Sequence, residues 1–115
     1  MAGNYYESAK YLGLNNSFDI KRRIDYINDS DHYVFTPSQS GNYIFTAGWA
    51  NSDIINNLNV VLCDIYVDYV GGQSGTNFQF EAYCEAGKTY WVSISSDMST
   101  YTRLMNYSVD ISKTS

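Results

Sequence analysis

At 115 residues the chain is long enough for one buried core and too short for two. Lys and Arg number 7 against 12 Asp and Glu, a formal net charge of −5. That balance removes the counterion release that drives nucleic-acid binding and sets the chain against anionic membranes, so neither is expected as a partner. No apolar run approaches the roughly 20 residues a membrane helix needs, and residues 1–7 lack the basic and apolar regions of a signal peptide. A module cut from a secreted protein would read the same way, so compartment rests on other grounds.

The 12 Tyr, 5 Phe and 2 Trp sit among Gly, Asn, Asp and Ser clusters, with 17% charged residues and one proline. Aromatic and β-branched residues between such clusters are what short strands and tight turns use, whereas helices favour Ala, Leu, Glu and Lys. The composition therefore predicts an all-β chain. Residues 1–8 read as a linker segment, 9–112 as one folded module and 113–115 as a tail.

Taken in chain order, residues 4–14 admit a short helical turn or an extended edge segment, ended by Gly13, Asn15 and Asn16. Strand-like stretches follow at 18–27, 32–36, 42–49, 57–66, 76–83, 88–95 and 106–112. Gly71-Gly72-Gln73-Ser74-Gly75 reads as a flexible turn; with no Lys-Ser/Thr ending and no helix after it, it is not a phosphate loop. The pattern predicts a single-domain, jelly-roll-like antiparallel β-sandwich of about seven to nine strands.

Successive side chains on a strand point to opposite faces, so parity sorts the core. Tyr33 and Phe35 fall together, as do Tyr43, Phe45 and Ala47; Leu58, Val60 and Leu62; Tyr90, Val92 and Ile94; and Tyr107, Val109 and Ile111. Opposite positions are polar on most strands. Trp91 breaks this rule, because it lies between inward Tyr90 and Val92 and so stands on the outer face, where an indole asks for a cover or a partner.

The run NDSDHYVFTPSQSGNYIF, residues 28–45, carries two aspartates, an aromatic-x-Phe strand, a Pro-Ser turn and Ser-Gly-x-Tyr opening the next strand. The run EAGKTYWVSIS, residues 85–95, adds Ala-Gly-x-x-Tyr. In order and spacing these resemble the bacterial pre-peptidase C-terminal domain family over about residues 9–111. The resemblance implies a non-catalytic jelly-roll-like module appended to a secreted bacterial enzyme, with kinship to clostridial collagen-binding domains and carbohydrate-binding modules. It also implies calcium, since the collagen-binding relatives take ligands from an acidic N-terminal segment and from aspartates that correspond to Asp29 and Asp31. The relatives' Glu-x-Asn-Asp segment is absent, and Glu7 is the only acidic residue before Asp19.

Catalysis finds little support in the residues. His32, the only histidine, sits within a strand, and no Gly-x-Ser-x-Gly elbow is present. Nothing in the spacing sets two of Asp29, Asp31, Asp64, Asp68, Glu81 and Glu85 across a cleft. One His and two distant Cys do not make a zinc site. Asp29-x-Asp31 imitates an EF-hand opening, but Val34 stands where the loop turns on Gly and Ser40 where a bidentate Glu belongs. A different calcium site using Asp29, Asp31 and Glu7 stays open beside a plain Asx-type turn. Cys63 and Cys84 admit either a disulfide or two buried thiols.

Sugar binding is the sharper expectation, because pyranose rings stack on exposed aromatic faces while Asn, Gln and Asp bond their hydroxyls. Trp91 is the leading platform and Trp49 the second, with Tyr66, Tyr69 and Tyr101 extending the surface. Trp49 also shares the inward parity of Tyr43 and Phe45, which would put it in the core. The expected function is thus a substrate-targeting module of a secreted enzyme that holds a polysaccharide, or another extracellular matrix polymer, by aromatic stacking. The alternative is a collagen-type protein binder, or a structural or processed module with no glycan ligand.

Overall fold

The computed structural model describes residues 9–24, 30–50, 54, 56–96 and 105–114. Among the described residues nine strands run β1 (Lys10–Asn15), β2 (Ser17–Ile24), β3 (Ser30–Pro37), β4 (Gly41–Trp49), β5 (Leu58–Asp64), β6 (Tyr69–Gly75), β7 (Asn77–Cys84), β8 (Tyr90–Ser96) and β9 (Met105–Lys113). They form a five-stranded sheet of order β1-β3-β8-β5-β6 packed on a four-stranded sheet of order β2-β9-β4-β7. Every connection but the β5–β6 hairpin, seven of eight, changes sheet, which makes a jelly-roll-like sandwich. Every pairing is antiparallel except β1 with β3, which run parallel.

All the residues that parity placed inside are buried, and Phe35, Tyr43, Phe45, Leu58, Val60, Leu62, Val92, Ile94, Val109 and Ile111 have no exposed surface. Phe18, Ile20, Ile54, Ala82 and Cys84 join them. Phe35 ties the layers together: its ring lies 4.9 Å from Phe18 and 6.3 Å from Phe45 across the sandwich, and 5.8 Å from Tyr90 within its own sheet.

Of the two readings for residues 4–14, the extended edge segment holds where the structure describes it, since β1 borders the five-stranded sheet. One local reading changes. The glycine run is strand β6, not a flexible turn. Its glycines answer to close packing, since a Cβ on Gly72 would stand 2.7 Å from the Val60 carbonyl oxygen. A side chain on Gly71 would press on Phe80 and Ala82 of the facing sheet.

On the outer face of the four-stranded sheet, Asp19 and Asp110 stand directly opposite each other. The hydrogen bond shared with Asp19, followed by partial burial and like-charge repulsion, raises the Asp110 pKa. A carboxyl raised in the folded state destabilises the fold above that raised pKa, and the penalty is relieved as pH falls toward the ordinary carboxylate value. Asp110→Asn should therefore stabilise the domain at pH 7 by about 0.5 kcal/mol. That gain should vanish below about pH 4, and chemical denaturation at the two pH values checks it.

Candidate functional site

The register of the five-stranded sheet lines up one row of outward residues, one per strand. Tyr11 pairs with Val34, Val34 with Trp91, Trp91 with Cys63, and Cys63 with Tyr69. Tyr11 is 55% exposed and Tyr69 68%. Trp91 is half-buried. Val34, though it faces outward, is buried because an aromatic stands on each side of it.

These rings lean along the sheet. The Tyr11 hydroxyl donates to Thr36 Oγ1 at 3.1 Å, and Thr36 Oγ1 lies 3.1 Å from Thr89 Oγ1. The Trp91 indole N–H donates to His32 Nδ1 at 3.1 Å, with the rings 5.4 Å apart and tilted by 45°. That bond holds the indole in place and commits the only histidine. The Tyr69 hydroxyl lies 3.4 Å from where a Gly72 Cβ would stand, so glycine there leaves room for the phenol to lie down. Beyond the rings run Ser95, Asn59 and Ser74, paired in one row, with Ser74 Oγ donating to Asn59 Oδ1 at 2.7 Å.

The other expected platforms fall elsewhere. Trp49 is buried and its indole N–H donates to the Asn56 carbonyl at 2.9 Å, so it caps the core and offers no stacking face. Parity wins over composition there, because Trp49 continues the inward series of β4. Tyr66 is 78% exposed but sits at the β5–β6 hairpin tip. Asp64 Oδ1 accepts from the amides of Tyr66 and Asp68 and so fixes that turn. Tyr66 and Tyr83 border a cleft of about 520 Å³ at this end of the sandwich, with Asp64, Tyr90 and the ion-paired Glu85 and Lys88. Tyr101 lies outside the described residues.

Of the calcium candidates, Glu7 and Asp29 lie outside the described residues. Asp31 Oδ2 accepts the buried Tyr107 hydroxyl at 2.5 Å. Burial above all, together with this bond, raises the Tyr107 pKa far out of reach. Among the described residues no three His, Cys, Asp or Glu groups converge.

Both cysteines are free thiols. Cys63 faces outward beside Trp91, whereas Cys84 is fully buried. Burial pushes the Cys84 thiol up to about 12, and burial with Asp64 and Asp68 raises Cys63. Thiolate is the reactive form. A disulfide-exchange reagent at pH 8 should therefore modify Cys63 slowly in the native protein and Cys84 only after unfolding, with two thiols counted in denaturant without reductant. A count of zero would mean a disulfide.

Sequence reasoning did not single out Tyr11, whose place depends on the parallel β1–β3 pairing. Nor did it single out Tyr83. No protein-family model matches the sequence, and no curated protein matches it. Solved structures do share its fold. The pre-peptidase C-terminal domain of a collagenase from Bacillus anthracis superposes with a TM-score of 0.65 at 16% identity, over 90% of this chain and 94% of that one. PliG of Aeromonas hydrophila, a periplasmic inhibitor of g-type lysozyme, gives 0.58 at 15% identity, over 91% and 98%. The mitogen of Yersinia pseudotuberculosis gives 0.58 at 13%, over 86% of each chain. At these identities the likeness is one of fold alone: the chain shares the β-sandwich seen in that pre-peptidase C-terminal domain, in PliG and in the mitogen.

Proposed function

We propose that this chain is a non-catalytic module of a secreted or periplasmic protein that binds carbohydrate on the outer face of its five-stranded sheet. The observation that carries the reading is the row Tyr11, Trp91 and Tyr69, separated by small apolar residues and bordered by Ser95, Asn59 and Ser74. Ring faces give a pyranose its stacking surface, and the hydroxyl and amide row gives its edge hydrogen-bond partners. That a fold relative is an inhibitor of g-type lysozyme supports a module without chemistry of its own. A periplasmic relative supports a place outside the cytoplasm. Calcium, which the resemblance implies, would involve Asp31, near the opposite end of β3 from Thr36 and away from this row.

The test is titration of intrinsic tryptophan fluorescence with soluble β-glucans, xylans, mannans and pectins. A saturable shift supports the reading; no shift with any glycan refutes it.

Protein docking has one observation in its favour. The hairpin tip exposes Ile65 at 41%, Tyr66 at 78% and Val67 at 61%, and Val67 holds φ at 66°. A β-branched residue is costly in that left-handed region, and such strain gathers at binding sites. If every glycan fails, this tip is the surface to examine next.

A further inference from the structure

We infer that the outer face takes a neutral, extended β-1,4-linked glycan as a single chain lying across the strands, an inference that rests on the carbohydrate reading above. The aromatic positions fall on β1, β8 and β6, which alternate in the order β1-β3-β8-β5-β6. Strands in a sheet lie about 4.8 Å apart, so the backbone positions of Tyr11, Trp91 and Tyr69 are set at intervals of about 10 Å along a line about 19 Å long, with the Tyr11 ring leaning toward Thr36 and the Trp91 ring toward His32, on opposite sides of that line. Such an interval is close to one disaccharide. In a β-1,4 chain of equatorially linked pyranoses each ring is turned over relative to the one before, so alternate rings offer the same face at a constant repeat. Those rings meet the aromatics, and the ring between them passes over Val34 or Cys63. In α-1,4 and β-1,3 chains the backbone coils, and the next ring of like face does not arrive at the next platform.

Charge narrows the class further. No residue of β6 or β8 is charged. The single acids of β3 and β5, Asp31 and Asp64, pair with inward Ile94 and Tyr90 and so have the opposite parity from Trp91. In a chain of net charge −5 an uncharged face suits neutral hydroxyls, while a polyuronate would meet long-range repulsion. Trp91 leans to His32 and Tyr69 to Gly72, two members of one cross-strand row. The next row out is Ser95, Asn59 and Ser74, where the hydroxyl edge of a glycan over those rings would lie.

Sheet twist decides between a single chain and a crystal surface. Neighbouring strands turn by roughly 20° relative to one another, so a line crossing the whole sheet winds. A free chain follows that winding by rotating about its glycosidic bonds, and a rigid crystalline face does not.

The experiment is calorimetric titration with oligosaccharides of two to six sugars in the cello-, manno- and xylo- series (β-1,4), the laminari- series (β-1,3) and the malto- series (α-1,4). Affinity for at least one β-1,4 series should rise in steps of roughly tenfold at the trimer and the pentamer, where a second and a third ring are engaged. Tyr69→Ala and Tyr11→Ala, both at exposed positions, should each remove one step. Equal binding of laminari- or malto-oligosaccharides, or affinity without steps, overturns the linkage class but leaves carbohydrate binding standing. Tighter binding to crystalline cellulose or chitin than to any hexasaccharide overturns the single-chain geometry. Failure of every glycan overturns the carbohydrate reading itself.

Discussion

Replacing Phe35 by Ala should cost the domain about 4 kcal/mol of stability, the largest loss expected from a single truncation in this core. Phe35 has no exposed surface and contacts rings from β2, β4 and β8, so its removal opens a void that neither sheet can close without parting from the other. A domain of this size holds on the order of 5–15 kcal/mol in all, so the variant should lose a large share of it. Urea denaturation should show a lower midpoint at an unchanged slope, and the melting temperature should fall by roughly 15–20 °C. Tyr83→Ala is the control: Tyr83 is 58% exposed, and the change should stay within about 0.5 kcal/mol. A Phe35→Ala midpoint no lower than that of the control would contradict the packing described above.

Trp91→Ala should weaken glycan binding by at least roughly thirtyfold while leaving the domain folded. The indole stands at the middle of the aromatic row, held by its bond to His32, so no other ring can replace it without leaving a gap of four strand spacings between Tyr11 and Tyr69. Its half-buried position makes the stability cost smaller, about 1 kcal/mol. Trp91→Phe separates the roles, since it keeps an aromatic face and loses the indole N–H. Partial recovery of binding with Phe would place the energy in stacking; a variant that binds as tightly as the unaltered protein after Trp91→Ala would remove the site from this face.

Much of this was legible along the chain because β-strand parity is a local property. Tyr43, Phe45 and Ala47, or Tyr90, Val92 and Ile94, alternate with polar residues over a few positions, and the period of two fixes which side faces the core. The same argument put Trp91 on the outside and, read strictly, put Trp49 within. Composition alone would have made both indoles surface platforms. The Gly71–Gly75 stretch shows the opposite failure: without side chains it carries no parity, and its place as β6 comes from the close approach of β5 and of Phe80 in the facing sheet.

The sequence by itself determined an all-β, single-core acidic module, its inward residues and one outward indole, because charge, turn chemistry and alternation are written residue by residue. Tertiary structure decided which strands stand side by side. Tyr11, Trp91 and Tyr69 are distant in the chain and become one row only through a parallel pairing of β1 on β3 and a β6 that no side chain announces. Strand order is settled by long-range packing of the two sheets, so the spacing on which ligand choice turns appears only when the sandwich is closed.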